Sequence, residues 1–492
     1  VFSLGLAASL VMCARAKPFW HDEVYTILGA QLPPPTLWAA SLDGFDLSPP
    51  LNTIATRYVH ALLGVGPIAT RLVPMLGVWV ACLVAFAMTR SRTNALFGVA
   101  AALLLACTGL FAYGYEARGY GLASGLFAVA LYGWSEASRG RRRGVNLALM
   151  TAALSAGLWT HYYAVLAFLP IGVGELGRQI FRRRFESLPW LLMLAAGVSA
   201  APLRALAAAG ARQAPTFWTA TGSDTLGSTY QVVLGELASP IVAATVFVLL
   251  AFALASGLMR RGRSPGAVPA IPRWEIAAGL GCLAIPAAGL AIGSLTGVFV
   301  PRYALLGAVG IAIVIPTAIG HLAAHSRIAQ LATALAALIA AGHAAAGALE
   351  PGRFVPWNPF AERQLLADHL RIQPGVVVTG GVLYLQLWYY APPELRSKMR
   401  YLIDPAGALQ VTGTDSVDRG YAALARWAPI PAVEAEAFLA AHREFMLYDA
   451  GGFWTLPRLK AKGASFQVVG REPRGNLVRV RSGGVGSPAG RH

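Results

Sequence analysis

The feature that most limits how this chain can fold is a succession of apolar blocks, each roughly 17 to 25 residues long, separated by short arginine-rich gaps. At about 1.5 Å per helical residue, a block of that length crosses the roughly 30 Å hydrocarbon core of a bilayer. Lipid offers no water to a bare backbone, so each block is expected to be a helix. The blocks fall at about 1–16, 70–89, 94–113, 119–137, 145–160, 162–178, 188–208, 236–259, 275–296, 303–322 and 327–348. They predict a polytopic α-helical membrane protein with about 11 transmembrane helices. Composition agrees: 56% of residues are hydrophobic, only 13% are charged, and the mean hydropathy is +0.55. An average soluble domain carries about 25% charged residues. The same figures exclude intrinsic disorder, a collagen-like repeat and a small disulfide scaffold.

The net charge of +17 would suggest nucleic acid in a soluble protein, but here its location argues otherwise. Arginines collect between blocks, at Arg90 and Arg92, at Arg139 with Arg141 to Arg143, at Arg178 with Arg182 to Arg184, and at Arg260, Arg261 and Arg263. That is the pattern of cytoplasmic loops under the positive-inside rule. With those gaps inside, the segments 17–69, 114–118, 161, 209–235 and 297–302 face outward, as does the tail after Glu350. Cys13, Cys82, Cys107 and Cys282 lie singly within apolar stretches, without metal-ligand spacing, and read as packing residues. The first block, Phe2 to Ala14, is short for a span. Either the span is short or its start lies upstream, and a cleaved signal peptide fits less well without a basic n-region or an A-x-A site.

Two regions interrupt the membrane pattern. The loop 17–69, with Pro33 to Pro35 and Pro49–Pro50, is too long for a connector and is expected to hold short interfacial helices, one of them around Arg57 to Leu63. After Glu350 the composition turns ordinary. Stretches at Gly375 to Thr379, Glu444 to Tyr448 and Leu477 to Val480 read as strands, and Phe360 to Leu370 as a helix. The expected division is a transmembrane domain over 1–349 and a small soluble α/β domain over 350–492, folded at about 355–482 and ending in a Gly-rich, disordered tail.

An ionised side chain at the bilayer centre costs about 2.5–3.5 kcal/mol on insertion scales, so charges at the ends of spans carry the information. Four such groups fall on the outward side: Asp22, Glu23 and Tyr25 after the first span, Glu116, Arg118 and Tyr120 between the third and fourth, His161, Tyr162 and Tyr163 after the fifth, and Arg302 with Tyr303 before the tenth. Structural roles compete for several of them. Glu23 is suited to capping a helix, Glu116 and Arg118 to an ion pair, His161 to an interfacial hydrogen bond, and the tyrosines to the aromatic belt. Asp22, an acid beside Trp20 and His21 at the end of a span, has the least structural reason to be there.

One acid and several cations at an outer membrane surface suit the transfer of a sugar from a lipid phosphate to a hydroxyl. The phosphate needs no general acid to leave, but its growing charge calls for fixed donors such as Arg118 and Arg302. The acceptor hydroxyl needs a carboxylate within hydrogen-bond reach to take its proton, the role Asp22 would fill. Nucleotide sugars are cytoplasmic, so a transferase working outside needs a membrane-carried donor. A transporter or flippase shares the hydropathy, but it would place ionisable residues and broken helices near the bilayer midplane, often in paired repeats. A catalytically dead scaffold that binds polyprenyl phosphate is a third reading.

At these residues the chain resembles the GT-C type, polyprenyl-phosphate-sugar-dependent glycosyltransferases, the group that includes the lipid A aminoarabinose transferases, the Rgt-type core transferases and the protein O-mannosyltransferases. The resemblance rests on Asp22-Glu23 with Tyr25, Ser48-Pro49-Pro50-Leu51, Arg71-Leu72-Val73-Pro74, Glu116-Ala117-Arg118-Gly119-Tyr120, Thr160-His161-Tyr162-Tyr163 and Pro301-Arg302-Tyr303, and covers about residues 1 to 320. It implies a GT-C fold and an inverting transferase in the cytoplasmic membrane. Its site and C-terminal domain would be extracytoplasmic, Asp22 in the first outward loop would be catalytic, with Glu23 beside it, and arginines would hold the carrier phosphate. The implied substrates are a polyprenyl-phosphate-linked sugar and a glycan, lipid or protein acceptor. The family often has His before Pro-Pro-Leu where this chain has Ser48, so that contribution is absent or comes from His21 or His161. There is no Asp-x-Asp of the nucleotide-sugar type, Asp43 and Asp46 being three apart, and a divalent metal is left open.

Overall fold

The computed structural model describes residues 2–212, 214–219, 222, 224–260, 270–323, 326–349, 364–368, 377–472 and 475–482. It divides into two compact units. One comprises Val1–Lys17, Ser48–Leu206 and Thr219–Phe354, and the other Pro18–Leu47, Ala207–Trp218 and Val355–His492.

The first unit is helical, and every apolar block of the sequence corresponds to a helix or a broken pair of helices. Among the described residues, two helices are long and apolar enough to cross a membrane, Pro67–Arg92 and Tyr162–Arg182, and the number rises to five if each of three bent pairs counts as one span. Proline explains one break: Pro286 has no N–H for the preceding turn, and Arg273–Leu283 meets Ile285–Thr296 at 50°. The gap around Arg261 and Arg263 lies outside the described residues.

Small residues set one close crossing. A Cβ on Gly77 would stand 2.2 Å from the carbonyl oxygen of Gly121, and one on Gly125 would stand 2.5 Å from that of Gly77. The helices Pro67–Arg92 and Tyr120–Ser138 therefore touch backbone to backbone, the small-residue packing that helices use where lipid supplies no hydrophobic drive. Not all gap arginines are solvated loop residues. Arg178 is 1% exposed on the helix Phe168–Arg182, where it donates to Glu175 through Nε at 2.9 Å and Nη2 at 2.7 Å. Arg92 grips Glu275 with two hydrogen bonds of 2.6 Å and reaches Ser135 at 2.8 Å. Arginine's fixed fork matches a carboxylate in this bidentate way, so helix ends are tied together by charge in apolar surroundings.

The loop after the first helix holds the short helices expected of it: His21–Gln31, Pro34–Leu42 and Leu51–Leu63. The last buries Asn52, Thr53 and Thr56 and exposes Tyr58, Leu62 and Leu63, an amphipathic face of the kind that lies at head-group level.

The second unit is built on six strands, β1 (Val377–Thr379), β2 (Met399–Ile403), β3 (Ala432–Glu434), β4 (Glu444–Asp449), β5 (Ser465–Glu472) and β6 (Gly475–Arg481), in the order β3-β2-β1-β4-β6-β5. The first four run parallel, and β6 and β5 close the edge antiparallel. Helices cover the sheet, and Leu402, Phe438, Phe445, Leu447, Trp454 and Val480 share one buried core. The three strands read from sequence are β1, β4 and β6, although Gly375 and Val376 lie outside the described residues. So do the ends of the expected helix 360–370, of which 364–368 is helical, and the tail from 483. The strand β3 went unread because it is three residues long and β5 because it is an exposed edge strand with little alternation; β2 went unread as well.

Candidate active site

In the helical unit, a tight turn prepares the site. The Arg118 backbone N–H donates to the Glu116 carbonyl at 2.7 Å. A Cβ on Gly119 would stand 2.9 Å from the Thr160 carbonyl oxygen, so this turn lies against the end of the helix Arg143–Thr160. Tyr120 begins the next helix and meets His161 at 5.3 Å between ring centres. The extended residue Val300 and the short turn Pro301–Ala304 deliver Arg302 and Tyr303 to the same place. Arg302 Nε donates to the Tyr120 hydroxyl at 2.9 Å, and Tyr303 lies 5.0 Å from His161 and 4.9 Å from Tyr163. Residues 120, 161, 163, 302 and 303, remote in sequence, thus form one cluster of rings with the Arg302 guanidinium. Tyr162 is half-buried beside it.

The electrostatics of the cluster favour anions. Burial, aided by the nearby guanidinium groups of Arg118 and Arg302, pushes the His161 imidazole down to about 3. His161 is therefore neutral at ordinary pH. Its Nδ1 accepts from the Tyr163 backbone N–H at 3.2 Å, which leaves the proton on Nε2 as a hydrogen-bond donor.

Around the turn, the charges pair differently from the sequence reading. Glu116 pairs with Lys17 rather than with Arg118, because the turn sends side chains two residues apart in different directions. Arg118 Nη2 instead donates to the Ser48 hydroxyl at 2.9 Å, so the serine before Pro49 holds one of the arginines. Arg71 is wholly buried and donates to the carbonyls of Ala14 and Lys17, closing the end of the first helix.

Asp22, Glu23 and Tyr25 belong to the second unit. Asp22 opens the helix His21–Gln31, with its Oδ1 3.1 Å from His21 Nδ1. Glu23 is fully buried, and its Oε2 accepts from the Trp20 backbone N–H at 3.2 Å, capping the first turn of the helix. Tyr25 is buried in an aromatic group with His21, Phe45 and Tyr421. Phe299 in the helical unit and Tyr390 and Tyr421 in the sheet unit were absent from the predicted site. An aromatic residue in a span or a domain core gives no local sign that its ring will face a charged neighbour. Among the described residues no three His, Cys, Asp or Glu side chains gather as a metal ion would need.

Two crystal structures of ArnT from Cupriavidus metallidurans, one in the apo state and one bound to undecaprenyl phosphate, superpose on this chain at TM-scores of 0.60 and 0.61, with 14% identity and 97% of both chains covered. The chain has the ArnT fold. An oligosaccharyltransferase of Archaeoglobus fulgidus, crystallised with Zn and sulfate, matches more loosely, at a TM-score of 0.43 and 11% identity over 90% of this chain and 67% of its own. No model of a known protein family matches the chain, and no curated protein does. At 14% identity the likeness to ArnT is one of architecture, and it agrees with the GT-C fold that the motifs imply.

Proposed function

We propose that the protein is an integral membrane glycosyltransferase that moves a sugar from a polyprenyl phosphate to a hydroxyl acceptor with inversion at the anomeric carbon. The observation that carries this reading is the cluster of Arg302, Tyr120, His161 and Tyr303, with Arg118 close to it, inside an ArnT fold. One of the ArnT structures holds undecaprenyl phosphate, the class of carrier proposed here.

In the reaction the acceptor oxygen bonds to the anomeric carbon as the bond from that carbon to the phosphate oxygen breaks. Asp22 takes the hydroxyl proton, and Glu23 holds the first turn of the Asp22 helix. Arg118 and Arg302 take up the charge that grows on the departing phosphate, and the neutral His161 adds an N–H donor. The proposed topology has about 11 spans, with the site and the domain 350–492 on the outer face of the cytoplasmic membrane and 1–349 as the transmembrane domain. Tyr25, Tyr120, Tyr162 and Tyr303 would line the substrate. The acceptor is a glycan, lipid or protein hydroxyl.

The test uses the purified full chain, undecaprenyl-phosphate-linked sugars and envelope extract as acceptor. Asp22→Asn is expected to abolish transfer and keep the binding of undecaprenyl phosphate. Arg118→Ala and Arg302→Ala are each expected to weaken that binding about tenfold or more, since a charge-assisted contact to phosphate is worth roughly 1.5–3 kcal/mol. Transfer by Asp22→Asn would remove Asp22 from its role, and unchanged affinity in both arginine variants would sink the phosphate assignment.

A further inference from the structure

The segment that carries Asp22 is part of the same compact unit as the six-stranded sheet, and the sheet domain grips it from end to end. At one end the Tyr390 hydroxyl accepts from the Phe19 backbone N–H at 2.6 Å. At the other, Asp43 Oδ2 accepts from Arg426 Nε at 2.6 Å and from Trp427 Nε1 at 2.9 Å. Between them the helix Ser416–Trp427 sets the Tyr421 ring nearly perpendicular to the His21 ring, 5.7 Å away at 84°. Tyr421 is itself fixed. Its hydroxyl donates to the Gly381 carbonyl at 3.3 Å and accepts from the Leu385 N–H at 3.2 Å, and its ring lies 4.2 Å from that of Tyr401.

His21 is where this grip reaches Asp22. A carboxylate only accepts, so across the 3.1 Å between His21 Nδ1 and Asp22 Oδ1 the imidazole is the donor. The other nitrogen, Nε2, is buried and has no hydrogen-bond partner among the described residues. No second hydrogen bond orients the ring. What holds it is packing between Tyr25, at 5.0 Å, and Tyr421. There is little slack: a Cβ on Gly420 would stand 3.0 Å from the Tyr25 hydroxyl.

We propose that His21 and Tyr421 are positioning residues for Asp22: the C-terminal domain fixes the imidazole, and the imidazole fixes the carboxylate. This rests on the reading of Asp22 as the proton acceptor and gives the C-terminal domain a part in the same step.

Two measurements on the full chain in detergent test it. Nitrogen NMR of histidine-labelled protein, with the His21 signal identified by its loss in His21→Gln, is expected to show the proton on Nδ1 in the wild type and a mixture of tautomers in Gly420→Ala. A wild-type proton on Nε2 overturns the proposal. The second measurement is transfer from undecaprenyl-phosphate-linked sugars. Gly420→Ala favours the helix and should keep or raise thermal stability, yet lower kcat about tenfold with little change in KM, as a small misplacement of a reacting group does. In a Tyr25→Phe background, where the oxygen is gone, the same change should cost less than about twofold in kcat, as coupled sites require. Equal losses in both backgrounds overturn the proposal. His21→Asn, whose amide reaches the place of Nδ1, should outperform His21→Gln, and the reverse order also counts against it. The NMR result does not depend on Asp22 being the base, whereas transfer by Asp22→Asn would overturn that reading alone.

Discussion

In the helical unit Glu175 is 1% exposed and faces the guanidinium of Arg178, while in the sheet unit Asp418 is 2% exposed and is met by the Tyr401 hydroxyl, the Trp454 indole N–H and the Asp404 backbone N–H. Both acids are buried, and both are hydrogen-bonded. Only the first has a countercharge among its hydrogen-bond partners. Around Glu175 the sequence offers mostly apolar side chains, and the pair is extended by Glu186, Gln179 and the Trp134 indole. Around Asp418 neutral dipoles favour the carboxylate and burial opposes it, and burial prevails, raising the group to about 6. The contrast shows that an ion pair within one helix, extended to the Trp134 indole and to Glu186, fixes a polar point among helices, whereas neutral donors fix one within a sheet domain and leave it sensitive to pH.

The contrast breaks most visibly at Glu175. Glu175→Ala takes the bidentate partner from a buried guanidinium that keeps Glu186, and is expected to cost roughly 1.5–3 kcal/mol, read as thermal or denaturant unfolding in detergent. A loss under about 1 kcal/mol would mean that the Glu175 carboxylate adds little to what Glu186 already gives Arg178. Asp418 gives a smaller effect with a definite sign. Its carboxyl holds its proton in the folded state up to about pH 6 and gives it up near 4 when unfolded, so stability falls as pH rises between those values. The slope from one group is at most about 1.4 kcal/mol per pH unit. Asp418→Asn should flatten it, and an unchanged slope would assign the effect to other groups. The smallest effect sharpens the picture of the site. Ser48→Ala removes one hydrogen bond from Arg118 and should weaken undecaprenyl phosphate binding only a few-fold, about 0.5–1.5 kcal/mol.

The helical unit was legible because burying backbone in lipid demands long apolar runs, and these stand out in the sequence whatever packs against them. The helix Pro67–Arg92 follows its predicted block 70–89 within a few residues. The cluster of Arg302, Tyr120 and His161 was legible for a related reason: ionisable residues are costly in lipid, so the few that flank the spans stand out. Contacts between remote segments were not. Phe19 and Tyr390 are 371 positions apart, and neither residue carries a local sign of the other. The role of Ser48 was equally hidden, since a serine before two prolines reads as a turn until Arg118 is seen to reach it. Glu23 was the reverse case. Its spacing from Trp20 suits a cap, and a cap is what its carboxylate makes.

The make-up of the sheet unit, which takes in Pro18–Leu47 and Ala207–Trp218 as well as the chain from Val355, bears on how the protein can be divided. A gene fragment starting at 355 would encode all six strands but none of the surface that Tyr390, Tyr421, Arg426 and Asp415 grip in the intact chain. Such a fragment would expose several aromatic rings to water and invite self-association. The two segments Pro18–Leu47 and Ala207–Trp218, grafted back through linkers, would be needed before that part could be handled as an independent piece.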